Sequence, residues 1–128
     1  MLKLASWNVN GLRAVAAKAD FAAFLARGYD IVALQETKAA PEQVPEALVQ
    51  KLAADPLMQT FYCSSVVKKG YSGTAVFSRI RPLNHRLELP FEQFAGEGRI
   101  IHLEYPGFHF INGYFPNGGA ALTDERGR

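Results

Sequence analysis

Asn8, Asn10, Gly11 and Arg13 place two amides and a guanidinium where a strand-like run gives way to a helix-like one. Free backbone N–H groups at such a junction favour an anion, so phosphate contact is one reading; an ordinary cap and turn is the other. Glu36 directly follows a short apolar run, and Lys38 comes two residues later. A carboxylate at the carboxyl end of a buried strand stands where α/β sheets build their sites. A hard cation such as Mg2+ takes one or two protein carboxylates and leaves its other positions to water and substrate phosphate, a role that suits Glu36. The competing reading is a surface pair of Glu36 with Lys38, which contributes little. Lys68 and Lys69 lead into Gly70, Tyr71, Ser72 and Gly73, a basic glycine loop with one aromatic. That composition suits the approach of a nucleic-acid strand, and a hairpin turn explains it equally simply. Finally, Asn112, Gly113, Tyr114, Phe115, Pro116 and Asn117 end a strand-like run with a phenol and two amides. A tyrosine there is either a catalytic group or a core residue with a wet hydroxyl. His85, His102 and His109 show no helical metal spacing and are read as structural.

The elements that must position these groups follow from periodicity. Residues 2–8 alternate as a strand, and Asn10 offers a side-chain oxygen to cap a helix from Leu12 to about Arg27. Leu12, Val15, Ala16, Phe21, Phe24 and Leu25 form its apolar face, and Gly28 supplies a left-handed stop. Residues 31–34 are too short an apolar run for a helix and read as a buried strand ending at Gln35 and Glu36. Pro45 opens a second helix with Leu48, Val49 and Leu52 inward, broken at Asp55 and Pro56. Beyond Pro56 the texture is β, with strands over 60–67, 73–78, 99–105 and 108–115 and a hairpin turn at Pro106 and Gly107. Residues 81–98, carrying two prolines and two glycines, are expected to be irregular, with Leu87, Leu89 and Phe91 packed inward. The shift at Pro56 reads as a change of layer within one domain.

Composition narrows the class. A chain of 128 residues with 48% hydrophobic and 20% charged residues fits one compact domain able to bury a core. No apolar run approaches the roughly 20 residues of a membrane helix, and no secretory signal precedes the first strand, so no membrane partner and a cytoplasmic address are expected. One cysteine, Cys63, makes neither an internal disulfide nor a thiolate zinc site, and reads as a small core residue. The formal charge of +2 permits a polyanionic partner without demanding one. Position says more, because Arg13, Lys38, Lys68, Lys69 and Arg99 all fall in loops among or near glycines.

Taken in order, the clusters resemble the exodeoxyribonuclease III family of apurinic/apyrimidinic endonucleases, within the endonuclease/exonuclease/phosphatase superfamily. The resemblance rests on residues 6–13, on 34–38, on 70–73, on Glu97, Gly98 and Arg99, and on 112–117. It implies an α/β fold, part of a two-layer α/β sandwich that is four-layered, αββα, when complete. It implies hydrolysis of DNA phosphodiesters with Mg2+, or Mn2+ in its place, either beside an abasic site or stepwise from a 3′ end of duplex DNA. Carried over residue by residue, Glu36 binds the metal with support from Asn8, and Tyr114 joins them as the catalytic group facing the scissile phosphate. Asn10, standing where some relatives carry Asp, supports the phosphate, and Arg13, Tyr71, Arg99 and Asn117 contact the DNA backbone.

The chain also departs from the family pattern. It contains no Asp-X-Asn motif to orient water and no Ser-Asp-His motif to supply a catalytic histidine. The expectation is therefore the amino-terminal portion of one such domain, residues 1–128, inactive by itself and completed by a carboxyl-terminal half or a second chain. The alternative expectation is a non-catalytic DNA-binding or subunit module that keeps the phosphate-facing loops. A superfamily relative acting on phosphoinositides, RNA or small phosphoesters is the weaker rival.

Overall fold

The computed structural model describes residues 1–66, 70–87 and 98–115. In chain order the elements are β1 (Leu4–Asn8), α1 (Leu12–Ala16), α2 (Ala19–Leu25), β2 (Ile31–Gln35), a 3-10 turn (Pro41–Gln43), α3 (Glu46–Ala53), β3 (Gln59–Cys63), β4 (Thr74–Ser78), β5 (Asn84–Leu87), β6 (Ile100–Tyr105) and β7 (Phe108–Gly113). They build two sheets. The first has the order β1-β2-β4-β3, with β1 and β2 parallel and the other pairs antiparallel; the second is the antiparallel meander β5-β6-β7.

Strand alternation divides the apolar residues between two cores. In the first sheet Leu34, Ala75, Val32 and Phe77 pack with Leu12, Val15, Phe21, Leu48 and Leu52 of the helices. The intervening residues Ile31, Val76 and Cys63 meet Ile101, Leu103 and Tyr105 of the second sheet. Because successive strand side chains point to opposite faces, β2, β3 and β4 each serve both cores, which makes the first sheet the central layer. Among the described residues the order is therefore helices, sheet, sheet, the mixed α/β sandwich expected. No described helix is long and apolar enough to cross a membrane.

Several local expectations are corrected. The helix expected from Leu12 to Arg27 is two helices, interrupted at Ala17 and at Lys18, which is extended (φ −95°, ψ 144°). At about 100° per residue, an unbroken helix would carry Phe21 roughly 180° away from Leu12. The break resets that phase and lets Phe21 and Phe24 both pack on Trp7, at centroid distances of 5.9 and 4.9 Å. Pro45 stands just before α3 rather than within it. Val49 does not face inward: it is 40% exposed, one position round from Leu48, while Leu48 and Leu52, four apart, share the buried face. The third strand stops at Cys63, and the last one at Gly113 with Phe115 exposed. The segment expected to be irregular contains β5, which pairs with β6. Leu87 lies on the open edge of that sheet and is 43% exposed rather than packed inward; Leu89 and Phe91 lie outside the described residues. The layers also change after β4 rather than at Pro56, since β3 and β4 pair within the first sheet. Of the three histidines, His102 and His109 share a 2.9 Å hydrogen bond, and His85 lies against the Phe61 ring.

Polar bolts join the sheets at their two ends. At one end the Ser78 hydroxyl lies 2.8 Å from the Tyr105 hydroxyl and donates to the Ile80 carbonyl, so the phenol is the donor to Ser78. At the other end Asn112, 2% exposed, donates to the carbonyls of Leu34 and Ala75 at 3.0 and 2.9 Å and accepts from Gln35 Nε2 at 2.8 Å. Replacing Asn112 by leucine keeps the volume but sets hydrocarbon against the Leu34 and Ala75 carbonyls, while Gln35 keeps its 2.9 Å bond to Ser6 Oγ. A loss of about 2–4 kcal/mol of stability is expected in urea denaturation, against under 1 kcal/mol for a surface change such as Gln50→Ala.

Candidate active site

The Asn112 end of the sandwich is where five loops meet, and backbone hydrogen bonds lace them together. Gly11 and Leu12 N–H donate to the carbonyls of Glu36 and Thr37, both at 2.8 Å, which ties the β1–α1 turn to the loop after β2. On its other side that loop donates from Thr37 N–H to Gly73 O at 3.0 Å and from Lys38 N–H to Ser72 O at 2.8 Å. Gly73 N–H in turn reaches Gly98 O, and Tyr114 N–H reaches Arg99 O. The 36–38 loop is thus the middle of the weave. These bonds correct two expectations. The Gly11 and Leu12 amides are taken by backbone carbonyls, so they are not the ones open to an anion, and Asn10 does not cap the helix, whose N-cap is Gly11 with no side-chain cap bond.

Within this frame the chain accepts strained backbone. The described non-glycine residues with positive φ are Asn10 (49°), Glu36 (57°), Lys38 (54°) and Ser72 (56°), and all four belong to these loops. Such residues persist only where their surroundings over-determine them, and they cluster at functional sites. The reason is visible at Glu36. In a continuing strand Gln35 and Glu36 would point to opposite faces, yet Gln35 bonds Asn112 and Glu36 bonds Tyr114, both at the end of β7. The left-handed turn brings the two side chains to one side.

The resulting cluster is compact. Tyr114 OH donates to Glu36 Oε1 at 3.0 Å, Lys38 Nζ lies 3.2 Å from Glu36 Oε2, and Lys38 Nζ also donates to Asn10 Oδ1 at 2.7 Å. Asn8 Oδ1 accepts from Asn10 N–H at 3.1 Å, and the Asn8 amide stands near enough to Glu36 to favour its ionised form. Arg13 Nη2 donates to the Lys38 carbonyl at 3.2 Å, and Arg99 Nη2 donates to Tyr71 OH at 3.0 Å. Burial pushes the Glu36 carboxyl up, but hydrogen bonds from Lys38 and Tyr114, the Lys38 charge and the Asn8 amide outweigh it and hold the group below its ordinary value. Tyr114 is pushed up, first by burial and then by its bond to Glu36 and the charge there, with Arg99 opposing. Glu36 is therefore ionised and Tyr114 protonated at neutral pH.

The structure brings together Asn8, Asn10, Arg13, Glu36, Tyr71, Arg99 and Tyr114. Asn117, together with Lys68, Lys69 and Glu97, lies outside the described residues. Sequence reasoning gave no individual role to Asn112 or Gln35, which hold the ends of β7 and β2 together. Its available signal was an amide at 112 in the inward phase of a strand whose other inward residues are Phe108 and Phe110. A lone carboxylate with amide support and three neighbouring cations, Arg13, Lys38 and Arg99, is suited to a hard cation and an anionic phosphate ester. Among the described residues no group of three or more His, Cys, Asp or Glu converges to hold a metal.

With the two-sheet α/β sandwich and this end of it described, comparison with known proteins gives the family. Residues 5–126 match the endonuclease/exonuclease/phosphatase family model, and the chain belongs to that family. It is 43% identical over 122 residues to an exodeoxyribonuclease of Bacillus subtilis, a match covering 94% of this chain and 45% of that protein. It is 36% identical to the DNA repair nuclease APEX1 of Danio rerio, over 95% of this chain and 38% of that one. Among solved structures, a 3′ phosphatase from Neisseria bound to a product DNA hairpin superposes with a TM-score of 0.75 at 26% identity, covering 99% of this chain and 48% of that one. An AP endonuclease from Archaeoglobus fulgidus gives 0.70 at 28% identity, covering 91% and 42%. The chain spans less than half the length of each of these relatives.

Two outcomes test the weave and the electrostatics. A Cβ on Gly73 would stand 2.3 Å from Thr37 Oγ1 and 3.2 Å from Lys38 N, at a φ of +97°. Gly73→Ala should cost about 2–4 kcal/mol in thermal or chemical denaturation and disorder the 36–38 loop in amide exchange. A carboxylate with a depressed folded pKa contributes stability that is present above its unfolded value and lost as pH falls through the folded one. The stability deficit of Glu36→Gln relative to wild type should accordingly be largest at neutral pH and shrink below pH 4.5, the ordinary value.

Proposed function

We propose that this chain is the amino-terminal portion of one domain of a divalent-metal-dependent DNA repair phosphodiesterase, acting on duplex DNA at abasic sites or 3′ ends. The observation that carries the reading is the 3.0 Å contact of the Tyr114 hydroxyl with the Glu36 carboxylate, braced by Asn8. Its relatives supply the substrate class: they include an exodeoxyribonuclease and a DNA repair nuclease, and one neighbour is bound to a DNA hairpin.

The donor set fits Mg2+, or Mn2+, because one accessible carboxylate with water and phosphate oxygens meets the coordination habit of a hard cation. When bound, the ion supplies charge stabilisation to the phosphate. The chain's own groups do the rest. Glu36 is the anionic ligand, and Asn8 holds its orientation. The Tyr114 phenol stays protonated and donates a hydrogen bond, to Glu36 in the resting site and to a phosphate oxygen once substrate arrives. Arg13, Arg99 and Tyr71 contact the sugar-phosphate backbone, which positions DNA without reading its sequence, as a repair enzyme requires. The group that takes the proton from water belongs to motifs this sequence does not carry.

A second reading is a DNA-binding or subunit module, which the loops carrying Arg13, Tyr71 and Arg99 would equally serve. One experiment separates them: the chain is mixed with abasic duplex and Mg2+, and both binding and cleavage are measured. We expect salt-sensitive binding, weakened about three- to tenfold by Arg99→Ala, with negligible cleavage until a carboxyl-terminal half is supplied in trans. Restored cleavage that disappears in Glu36→Gln supports the enzyme; binding with no restorable cleavage supports the module. No affinity at low salt removes both.

A further inference from the structure

Lys38 has no part in the reaction outlined above, yet its ammonium is held at the centre of the oxygen cluster. Its Nζ sits between two oxygens, Glu36 Oε2 at 3.2 Å and Asn10 Oδ1 at 2.7 Å. All three residues hold left-handed backbone conformations, so three strained positions converge on this one contact. The other Glu36 oxygen is already taken by Tyr114. A carboxylate and an amide oxygen aimed at one point are the donors a hard cation would use, and the point is filled by an ammonium.

We propose that Lys38 is a built-in competitor for the metal: its ammonium occupies the Glu36–Asn10 oxygen pair in the resting protein, and a divalent ion binds there by displacing it. This rests on the metal-site reading of Glu36. A lysine ammonium and a divalent ion cannot share one carboxylate oxygen without strong mutual repulsion at such short range. Displacement is structurally simple. The Lys38 side chain is 40% exposed, while its backbone is held at both polar groups, by Ser72 O on the N–H and by Arg13 on the carbonyl. The flexible stem swings while the loop stays in place. Once released, the ammonium remains beside the site as a free cation for a substrate phosphate, so metal and DNA each favour the arrangement the other needs. The exchange also prevents an isolated carboxylate from standing uncompensated among strained loops.

The test is Mn2+ binding to the 128-residue chain without DNA, followed by the EPR signal of the free ion, for wild type, Lys38→Met, Lys38→Arg and Glu36→Gln. Lys38→Met should bind Mn2+ about tenfold more tightly than wild type, Lys38→Arg should stay near wild type, and Glu36→Gln should remove the site. In the wild type, Mg2+ should also shift the Lys38 side-chain NMR resonances, saturating with occupancy, a readout independent of any variant's folding. Equal or weaker binding by Lys38→Met, or Lys38 resonances that do not move as Mg2+ saturates, overturns the competitor role while leaving the Glu36 site standing. If neither wild type nor Lys38→Met binds Mn2+ saturably, both the competitor role and the metal reading fall.

Discussion

The 36–38 loop is held from both sides by main-chain hydrogen bonds, and the rest of the site depends on that constraint. Four bonds of 2.8–3.0 Å tie it to the β1–α1 turn and to Ser72 and Gly73. Backbone bonds are short, directional and independent of side-chain identity, so they can hold residues such as Glu36 and Lys38 in conformations that neither favours by itself. Thr37, 2% exposed, is the pivot. Flanked by the two strained residues, it sends its N–H to one neighbour and its carbonyl to the other. Gly73 lacks a side chain because Thr37 Oγ1 fills the space one would need.

The second constraint is the register between the sheets. Nothing covalent holds β7 against β2, and apolar packing alone would tolerate small slides. The buried Asn112 removes that freedom, since its amide finds three partners only when the end of β7 stands over Leu34, Gln35 and Ala75. Tyr114, two residues further on, inherits this register and meets Glu36. A polar group inside a largely apolar interface thus converts non-directional burial into a defined position for the Glu36–Tyr114 contact. The Ser78–Tyr105 pair does the same at the far end.

The electrostatics of the resting site follow from its arrangement. One carboxylate faces three cations, a phenol and two amides, and a divalent ion would add to an already positive surface. Such a surface presents several donors at fixed positions around one carboxylate.

The residue types and their order were enough to name the candidate groups. Glu36 at the end of a buried run, amides at 8 and 10, and the phenol at 114 were all legible before any coordinates, as were β1, β2, β4, β6 and β7 in outline. Local pattern failed where neighbours decide. The break at Ala17 and Lys18 comes from the demand that Phe21 and Phe24 reach Trp7, and β5 exists because β6 offers it an edge. The use of the Gly11 and Leu12 amides depended on carbonyls from a loop more than twenty residues away. Sequence therefore determined which chemistry is available, because side-chain type is local. Tertiary structure decided that Glu36, Lys38, Asn10 and Tyr114 touch, because that depends on backbone turns and sheet register, which are properties of the folded chain as a whole.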